Sequence, residues 1–223
     1  MPSQEAGLPR LDWVSGNDAA IDQVAAHLES GGLLAYPTET VYGLGARVSP
    51  AEVKRVQALK GRDVSKPFLL LIPTPSVPDL AWTDQARALA QAFWPGPLTL
   101  VLDDPAEAYP AGVRGPGGGV AIRLSSSPFV SALHRVWPQA LLSTSANRKG
   151  APPARDAQAV EEAFGQEGGG GEESGLWLVD GGELPASPPS TIVDCTEPLV
   201  RILREGAIPS RAVEKCLNLS VHD

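Results

Sequence analysis

The sequence predicts an α/β fold in which one sheet is covered by helices. Apolar runs of strand length are mixed with amphipathic segments along the chain. The length of 223 residues fits one fairly large domain with a substantial core, and we find no internal repeat or clear domain boundary. We therefore expect a loose lead-in over residues 1–15, a single folded domain over residues 16–216 and a tail over residues 217–223.

The first elements are predicted from apolar spacing and from end signals. Asp18 to Ser30 carries apolar residues at helical spacing, and two glycines then stop the helix. Leu33 to Tyr36 has the composition of a buried strand that Pro37 ends. Ser49-Pro50 supplies an N-cap and a first helical residue for a helix to about Lys60, and the next residue is a C-capping glycine.

The later elements follow from the same signals. Phe68 to Ile72 is an apolar run bounded by prolines, as in a strand buried on both faces. A helix over Asp84 to Phe93 is broken by two prolines and a glycine. Gly165 to Gly175 is glycine-rich and acidic, which predicts a mobile surface loop. Further strands are predicted over residues 98–102, 120–124, 141–144, 176–179, 191–193 and 200–203, and further helices over residues 128–136, 156–164 and 211–217.

The composition argues against several classes of protein. The net charge of −8 gives no general electrostatic footprint for duplex nucleic acid, so such binding would need a local basic patch such as Arg148, Lys149 and Arg155. No run approaches the roughly 18 apolar residues of a membrane span, and the polar N-terminal segment has no signal-peptide core. Two cysteines and three histidines lack metal-ligand spacing. We expect a cytoplasmic protein with reduced cysteines, no protein-ligated metal and no membrane association.

Three cations lie between a predicted helix and a buried strand, at Lys60, Arg62 and Lys66. A lone lysine there would merely complement the carbonyl end of the helix. Element ends of α/β sheets are where ligands bind, and phosphates need several cationic donors. The cluster therefore favours phosphate binding.

Polar residues also mark other element ends. If the segment after Leu142 stays extended, Ser143, Ser145 and Asn147 project to one side and can hold phosphate oxygens, although such a composition also marks simple turns. Arg123 lies inside an apolar strand and must be paired or face a ligand. Motifs of phosphate loops, serine hydrolases and zinc proteases are absent from the sequence, so we expect no covalent nucleophile.

Eight segments, in order along roughly residues 15 to 215, resemble the YrdC/Sua5 family of threonylcarbamoyl-adenylate synthases in its short, single-domain form. These segments are Tyr36-Pro-Thr-Glu-Thr-Val-Tyr-Gly-Leu44, Lys60-Gly-Arg62, Lys66-Pro67, Trp94-Pro-Gly-Pro-Leu-Thr99, Ala121-Ile-Arg123, Ser143-Thr-Ser-Ala-Asn147, Ser190-Thr-Ile-Val-Asp194 and Leu203-Arg-Glu-Gly206. The resemblance implies a twisted, mixed sheet with a large open cavity. It also implies that L-threonine, bicarbonate and ATP give threonylcarbamoyl-AMP and pyrophosphate, for N6-threonylcarbamoyl modification of adenosine 37 in tRNA.

The resemblance also implies roles for individual residues. The threonine-binding positions are Thr38, Arg123, Ser145 and Ser190. The ATP-binding positions are Arg62, Lys66, Asn147, Arg155 and Arg204, and Lys60 and Arg62 form the catalytic Lys-x-Arg signature. Mg²⁺ is expected on the phosphates, and tRNA and tRNA-modifying enzymes are possible partners.

The chain departs from the family pattern at three places. Asp63 and Leu71 stand where the family often has proline and histidine, and Ser125 to Ser127 replaces part of an Arg-x-Pro-x-His-Pro motif. Two alternatives therefore stay open: an RNA-binding module, and a paralogue that has lost synthase activity.

Overall fold

The computed structural model describes residues 7–13, 18–61, 63, 66–165 and 175–218. Within these residues ten strands form one sheet and six helices pack around it. The helices are α1 (Asp18–Glu29), α2 (Pro50–Lys60), α3 (Asp84–Phe93), α4 (Pro128–Val136), α5 (Ala157–Phe164) and α6 (Ser210–Cys216). The strands are β1 (Arg10–Asp12), β2 (Leu33–Pro37), β3 (Tyr42–Arg47), β4 (Leu69–Leu71), β5 (Leu98–Asp103), β6 (Gly119–Arg123), β7 (Leu141–Ser145), β8 (Leu176–Asp180), β9 (Thr191–Asp194) and β10 (Arg201–Arg204).

The sheet is mixed, as the family resemblance implies. Its strand order is β1-β8-β2-β3-β7-β4-β6-β5-β9-β10. The β2–β3, β3–β7, β4–β7, β5–β6 and β9–β10 pairs are antiparallel, whereas β1–β8, β2–β8, β4–β6 and β5–β9 are parallel. The α/β class and the mixed sheet predicted above are therefore confirmed.

The helices predicted from the sequence are all present, with ends shifted by no more than one residue. Helix α2 has the predicted caps, because the Ser49 side chain accepts a hydrogen bond from the Ala51 amide and Gly61 adopts φ 62°. The Gly61 amide closes the helix on the carbonyls of Gln57 and Ala58. The predicted loop at residues 165–175 lies largely outside the described residues.

Strand β3 is absent from the sequence prediction because Gly43 and Gly45 interrupt its apolar pattern. Both glycines lie beneath the ring of Tyr36 on the neighbouring strand. A Cβ atom at position 45 would lie 2.6 Å from the Leu142 carbonyl oxygen and 2.8 Å from the Tyr36 ring. Glycine is needed here for close strand packing, and this contact cannot be seen in the local sequence.

The expectation of a loose lead-in is wrong for residues 10–12. These residues form β1, which pairs in parallel with β8 at the edge of the sheet. Leu8 just before it is buried in the main core. The strand is short and carries charges at Arg10 and Asp12, as edge strands commonly do, so neither hydrophobicity nor alternation reveals it.

Two apolar clusters hold the helices on the sheet. One cluster packs α1 and α4 against β2, with Leu28, Leu34 and Phe129 among its fully buried members. The larger cluster joins the other strands to the remaining helices and includes Phe68 and Phe164. These clusters fix the helices against the sheet that carries the polar side chains described below.

His134 gives the fold a predicted dependence on pH. Its imidazole is buried in α4, Nε2 has no hydrogen-bond partner within the described residues, and burial lowers the pKa to about 4. The unfolded chain has a histidine pKa of about 6.5, so it takes up this proton first as the pH falls. Above pH 6.5 the neutral imidazole leaves the free energy of unfolding at its full value. As the pH falls from 6.5 to about 4, protonation of the unfolded chain lowers this free energy by about 3 kcal/mol in all.

His134→Leu should therefore show a shallower loss of unfolding free energy between pH 6.5 and 4 than the wild type, measured by urea titration at each pH. Carboxylates that titrate in the same range are common to both proteins and cancel in the comparison. Identical slopes for the two proteins would contradict the prediction.

Candidate functional site

One face of the sheet forms the floor of a cavity of about 510 Å³. Several strands contribute residues that are two positions apart, and such residues point to the same face of a strand. The lining residues are Thr38, Thr40, Val41, Gly43, Lys66, Pro67, Leu69, Leu71, Thr99, Val101, Ala121, Arg123, Ser143, Thr144, Ser145, Pro153, Pro189, Ser190, Ile192, Leu203 and Arg204. Hydroxyls and cations therefore surround an apolar floor, in a volume typical of small-molecule sites.

The turn between β2 and β3 is built around the hydroxyl of Thr38. This oxygen donates to the Val41 carbonyl at 2.6 Å and accepts hydrogen bonds from the amides of Thr40 and Val41. A Ser or Thr side chain that bonds to the backbone two and three residues ahead commonly fixes such turns. Thr38 is thereby held rigidly at the edge of the cavity, with Glu39 at the next position.

Arg123 at the end of β6 forms an ion pair with Glu39. Its Nε donates to Glu39 Oε1 at 3.1 Å, and its Nη2 contacts the same carboxylate oxygen. Burial alone would raise the pKa of Glu39, but the charge and hydrogen bond of Arg123 and a hydrogen bond from Ser125 outweigh it and lower the pKa. Arg123 is thus paired, as one of the two sequence alternatives required, and it also lines the cavity.

Arg204 on β10 lies at another part of the cavity wall. Its Nε and Nη2 donate to the Ser190 carbonyl at 3.1 and 2.8 Å, and Nη2 also lies 3.2 Å from the Ser190 hydroxyl. That hydroxyl lies 2.9 Å from the Thr99 hydroxyl. Burial lowers the pKa of Arg204, and the nearby charge of Arg123 lowers it further. The guanidinium groups of Arg123 and Arg204 therefore line the same cavity.

Lys60 is buried behind β7 rather than in the cavity lining. Its Nζ donates to the carbonyls of Ser145 and Asn147 at 2.5 and 3.1 Å. The same ammonium lies 2.8 Å from Asn147 Oδ1 and 3.3 Å from Ser145 Oγ. Because these protein oxygens occupy its donors, Lys60 fixes the end of β7 and the turn after it.

Only some of the predicted ATP-binding residues line the cavity. Lys66 and Arg204 line the cavity, whereas Asn147 and Arg155 do not, and Arg62 lies outside the described residues. The Asn147 amide donates to the carbonyls of Arg148 and Ala151 at 3.0 and 2.6 Å. Arg155 donates to the Leu184 carbonyl. All four predicted threonine-binding residues line the cavity, but with no ligand present their roles stay predictions.

The basic patch considered for nucleic acid is partly engaged inside the protein. Arg148 donates to the carbonyls of Leu59 and Ala163, near the C-terminal ends of α2 and α5, and its guanidinium stacks over Phe164. Arg155 is held on Leu184, as described above. These arginines complete helix ends and a loop, so the geometry does not support a dedicated nucleic-acid surface at this place.

Several cavity residues were assigned no role from the sequence. Thr99 and Val101 line the cavity from the same face of β5, and Ile192 does so from β9. A threonine inside an otherwise apolar strand was the available signal for Thr99, whose hydroxyl is completely buried against Ser190. The apolar floor residues gave no signal, because Val and Ile are ordinary in any buried strand. Leu71, one of the departures from the family pattern, belongs to this floor.

The donor set of the site does not suit a protein-ligated metal. No group of three or more His, Cys, Asp or Glu side chains that could hold a metal ion occurs within the described parts of the chain. In the same residues no helix has the length and hydropathy that crossing a membrane requires.

Comparisons with known proteins point to one family. A family model described as "Sua5_yciO_yrdC: Telomere recombination" matches residues 26–206. The threonylcarbamoyl-AMP synthase of Bacillus subtilis (strain 168) is 34% identical over 208 residues, which cover 91% of this chain and 58% of that protein. The threonylcarbamoyl-AMP synthase of Chromohalobacter salexigens is 40% identical over 181 residues, which cover 79% of this chain and 92% of that protein.

A solved structure supports the same assignment. Pyrococcus abyssi Sua5 complexed with L-threonine superposes with a TM-score of 0.83 at 32% identity. The match covers 94% of this chain and 60% of that one. The chain therefore spans about 60% of the length of some relatives and 92% of another.

Proposed function

The chain belongs to the Sua5/YciO/YrdC family, and from this premise we propose that it is an L-threonylcarbamoyladenylate synthase. The proposed reaction converts L-threonine, bicarbonate and ATP into threonylcarbamoyl-AMP and pyrophosphate. We propose that it takes place in the cytoplasm and supplies the threonylcarbamoyl group for modification of adenosine 37 in tRNA, with tRNA-modifying enzymes as partners.

The observation that carries this proposal is a cavity in which cations and hydroxyls converge, and among the described residues no His or Cys lines it. Among the described residues, Arg204 has hydrogen bonds to Ser190 but no carboxylate partner, and Lys66 lines the same cavity. A guanidinium at the cavity wall without a counter-charge favours an anionic ligand. ATP and an amino-acid carboxylate both supply such charge.

We assign the threonine subsite to the region around Thr38, Arg123, Ser145 and Ser190. Arg123 offers donors for the carboxylate, and the hydroxyls offer partners for the amine and the side-chain hydroxyl. The ATP subsite is assigned to Lys66 and Arg204, and the family resemblance adds Arg62, which lies outside the described residues. The apolar floor between them suits the methyl group of threonine and the faces of a nucleobase.

The chemistry needs no covalent intermediate on the protein. The neutral threonine amine takes up carbon dioxide from bicarbonate and becomes a carbamate. A carbamate oxygen then attacks the α-phosphorus of ATP, and the bond to the bridging oxygen breaks as pyrophosphate leaves. The protein contributes by holding the reactants in line and by stabilising charge on the phosphoryl oxygens with fixed cations.

Mg²⁺ has no protein site in this proposal. Because the described residues form no ligand cluster, we propose that the ion enters bound to the phosphates of ATP. It would there supply charge neutralisation, while the residues named above position the substrates.

We expect pyrophosphate release to require L-threonine, bicarbonate and ATP together. Serine should replace threonine with a loss of about 10- to 200-fold in kcat/KM, since one buried methyl contact is worth about 1–3 kcal/mol. Alanine, which lacks the hydroxyl, should be a poorer substrate still. Pyrophosphate release and mass-spectrometric detection of the adenylate measure these outcomes.

The same assay decides between the open alternatives. Equal turnover with alanine would contradict the hydroxyl-lined threonine subsite. ATP binding without product under all conditions would indicate a paralogue that has lost synthesis. Salt-sensitive RNA binding without ATP affinity would indicate an RNA-binding module.

A further inference from the structure

Glu39 connects two segments that are distant in the sheet. It lies in the turn between β2 and β3, whereas its partner Arg123 ends β6, and β7 and β4 lie between β3 and β6 in the strand order. The contact therefore bridges the ends of several strands at the edge of the cavity. The ion pair thus contains a residue that lines the cavity, Arg123.

Further hydrogen bonds fix the Glu39 carboxylate. Ser125 Oγ donates to Oε2 at 2.6 Å, and the Ser126 amide donates to Oε1 at 3.3 Å. Ser127 Oγ donates to the Pro37 carbonyl at 3.0 Å, which joins the same two segments again. Ser125 and Ser126 therefore hold the two carboxylate oxygens in place in addition to the contact with Arg123.

Glu39 occupies only one edge of the Arg123 guanidinium. The contacts with Glu39 use Nε, which donates a hydrogen bond, and Nη2, which is buried beside the same oxygen but completes no hydrogen bond within the described residues. Arg123 is nevertheless almost completely buried, with 4% of its surface exposed, and it lines the cavity. An arginine held along one edge presents its remaining donors in a fixed direction, which is the arrangement that carboxylate recognition needs.

We propose that Glu39 is a positioning residue that orients Arg123 for the carboxylate of the amino-acid substrate. This inference rests on the proposed function and adds a residue to the threonine subsite. Glu39 does not itself touch the substrate. Its contribution is the fixed position of Oε1 beside Nε and Nη2, since a freely rotating guanidinium would have to be ordered each time a ligand binds.

Two substitutions separate geometry from charge. In Glu39→Gln, the amide oxygen can replace Oε1 and accept from Arg123 and Ser126, while the amide nitrogen donates to the Ser125 hydroxyl. In Glu39→Asp, the charge remains but the side chain is one methylene too short to reach both partners. We expect Glu39→Gln to keep the threonine Kd within about threefold, and Glu39→Asp to raise it by about tenfold or more.

Titration calorimetry with L-threonine measures these affinities directly, and ATP titration on the same samples should give unchanged Kd values. Glu52→Gln and Glu52→Asp are matched controls. Glu52 is a buried carboxylate in α2 that pairs with Arg47 at 3.4 Å and does not line the cavity. The controls should lower Tm comparably without changing threonine binding, so a merely structural role of Glu39 would give the same result as the controls.

The outcomes distinguish the two proposals. Threonine binding that is unchanged in Glu39→Asp, or weakened equally in Glu39→Gln and Glu39→Asp, overturns the positioning role while the synthase proposal stands. Tighter threonine binding in both variants also overturns it, because Glu39 would then be a competitor for Arg123. A wild-type chain that binds no threonine overturns both the subsite and the positioning role. If either variant does not fold, Ser125→Ala removes one anchor of the carboxylate and should raise the threonine Kd by a few-fold.

Discussion

Lys60→Met should both destabilise the protein and remove synthesis. The ammonium group is buried and bonds to four oxygens of Ser145 and Asn147. Methionine keeps much of the aliphatic volume but offers no donor, so buried carbonyls lose a charged partner. We expect a loss of about 3–5 kcal/mol in unfolding free energy. Release of the turn after β7 would displace Ser145 in the cavity, and a displacement of about 1 Å can cost about a hundredfold in turnover.

Thermal unfolding and pyrophosphate release on the same preparations test this expectation. Lys54→Met is a matched control, since Lys54 lies on the exposed side of the same helix. The control should retain both stability and activity. If Lys60→Met were as stable as the control but inactive, the ammonium would act on the substrate, as the resemblance implies, rather than through the turn.

Arg123→Ala is the second substitution with a large expected effect. It leaves the Glu39 carboxylate without its counter-charge in a largely buried place, which should cost about 3–5 kcal/mol and lower Tm by about 10 °C or more. It also removes the proposed donors for the substrate carboxylate. We therefore expect the threonine KM to rise by about tenfold or more, with the ATP Kd nearly unchanged.

A double substitution separates these two effects. Arg123→Ala combined with Glu39→Gln removes both charges, so much of the lost stability should return. The threonine KM should stay high, because the donors are still missing. A double variant that regains normal threonine KM would show that Arg123 serves stability alone, and the carboxylate assignment would have to be abandoned.

The helices could be predicted from the sequence because their signals are local. The Ser49 N-cap, the glycine at position 61 and the apolar spacing of α1 all act within a few residues of the element that they define. Strand β3 could not be predicted in this way. Its glycines are explained by the Tyr36 ring and the Leu142 carbonyl, which belong to neighbouring strands.

The sequence by itself determined the fold class, the main helices and, through eight matching segments, the family and the group of residues expected around a cavity. The tertiary structure alone decided how those residues are paired. Lys60 meets a turn 85 positions away, and Arg123 meets a carboxylate 84 positions away. Such contacts depend on the strand order, in which β7 inserts between β3 and β4. Local propensity carries no information about that order, because a strand can have the same residue pattern whichever strand lies next to it.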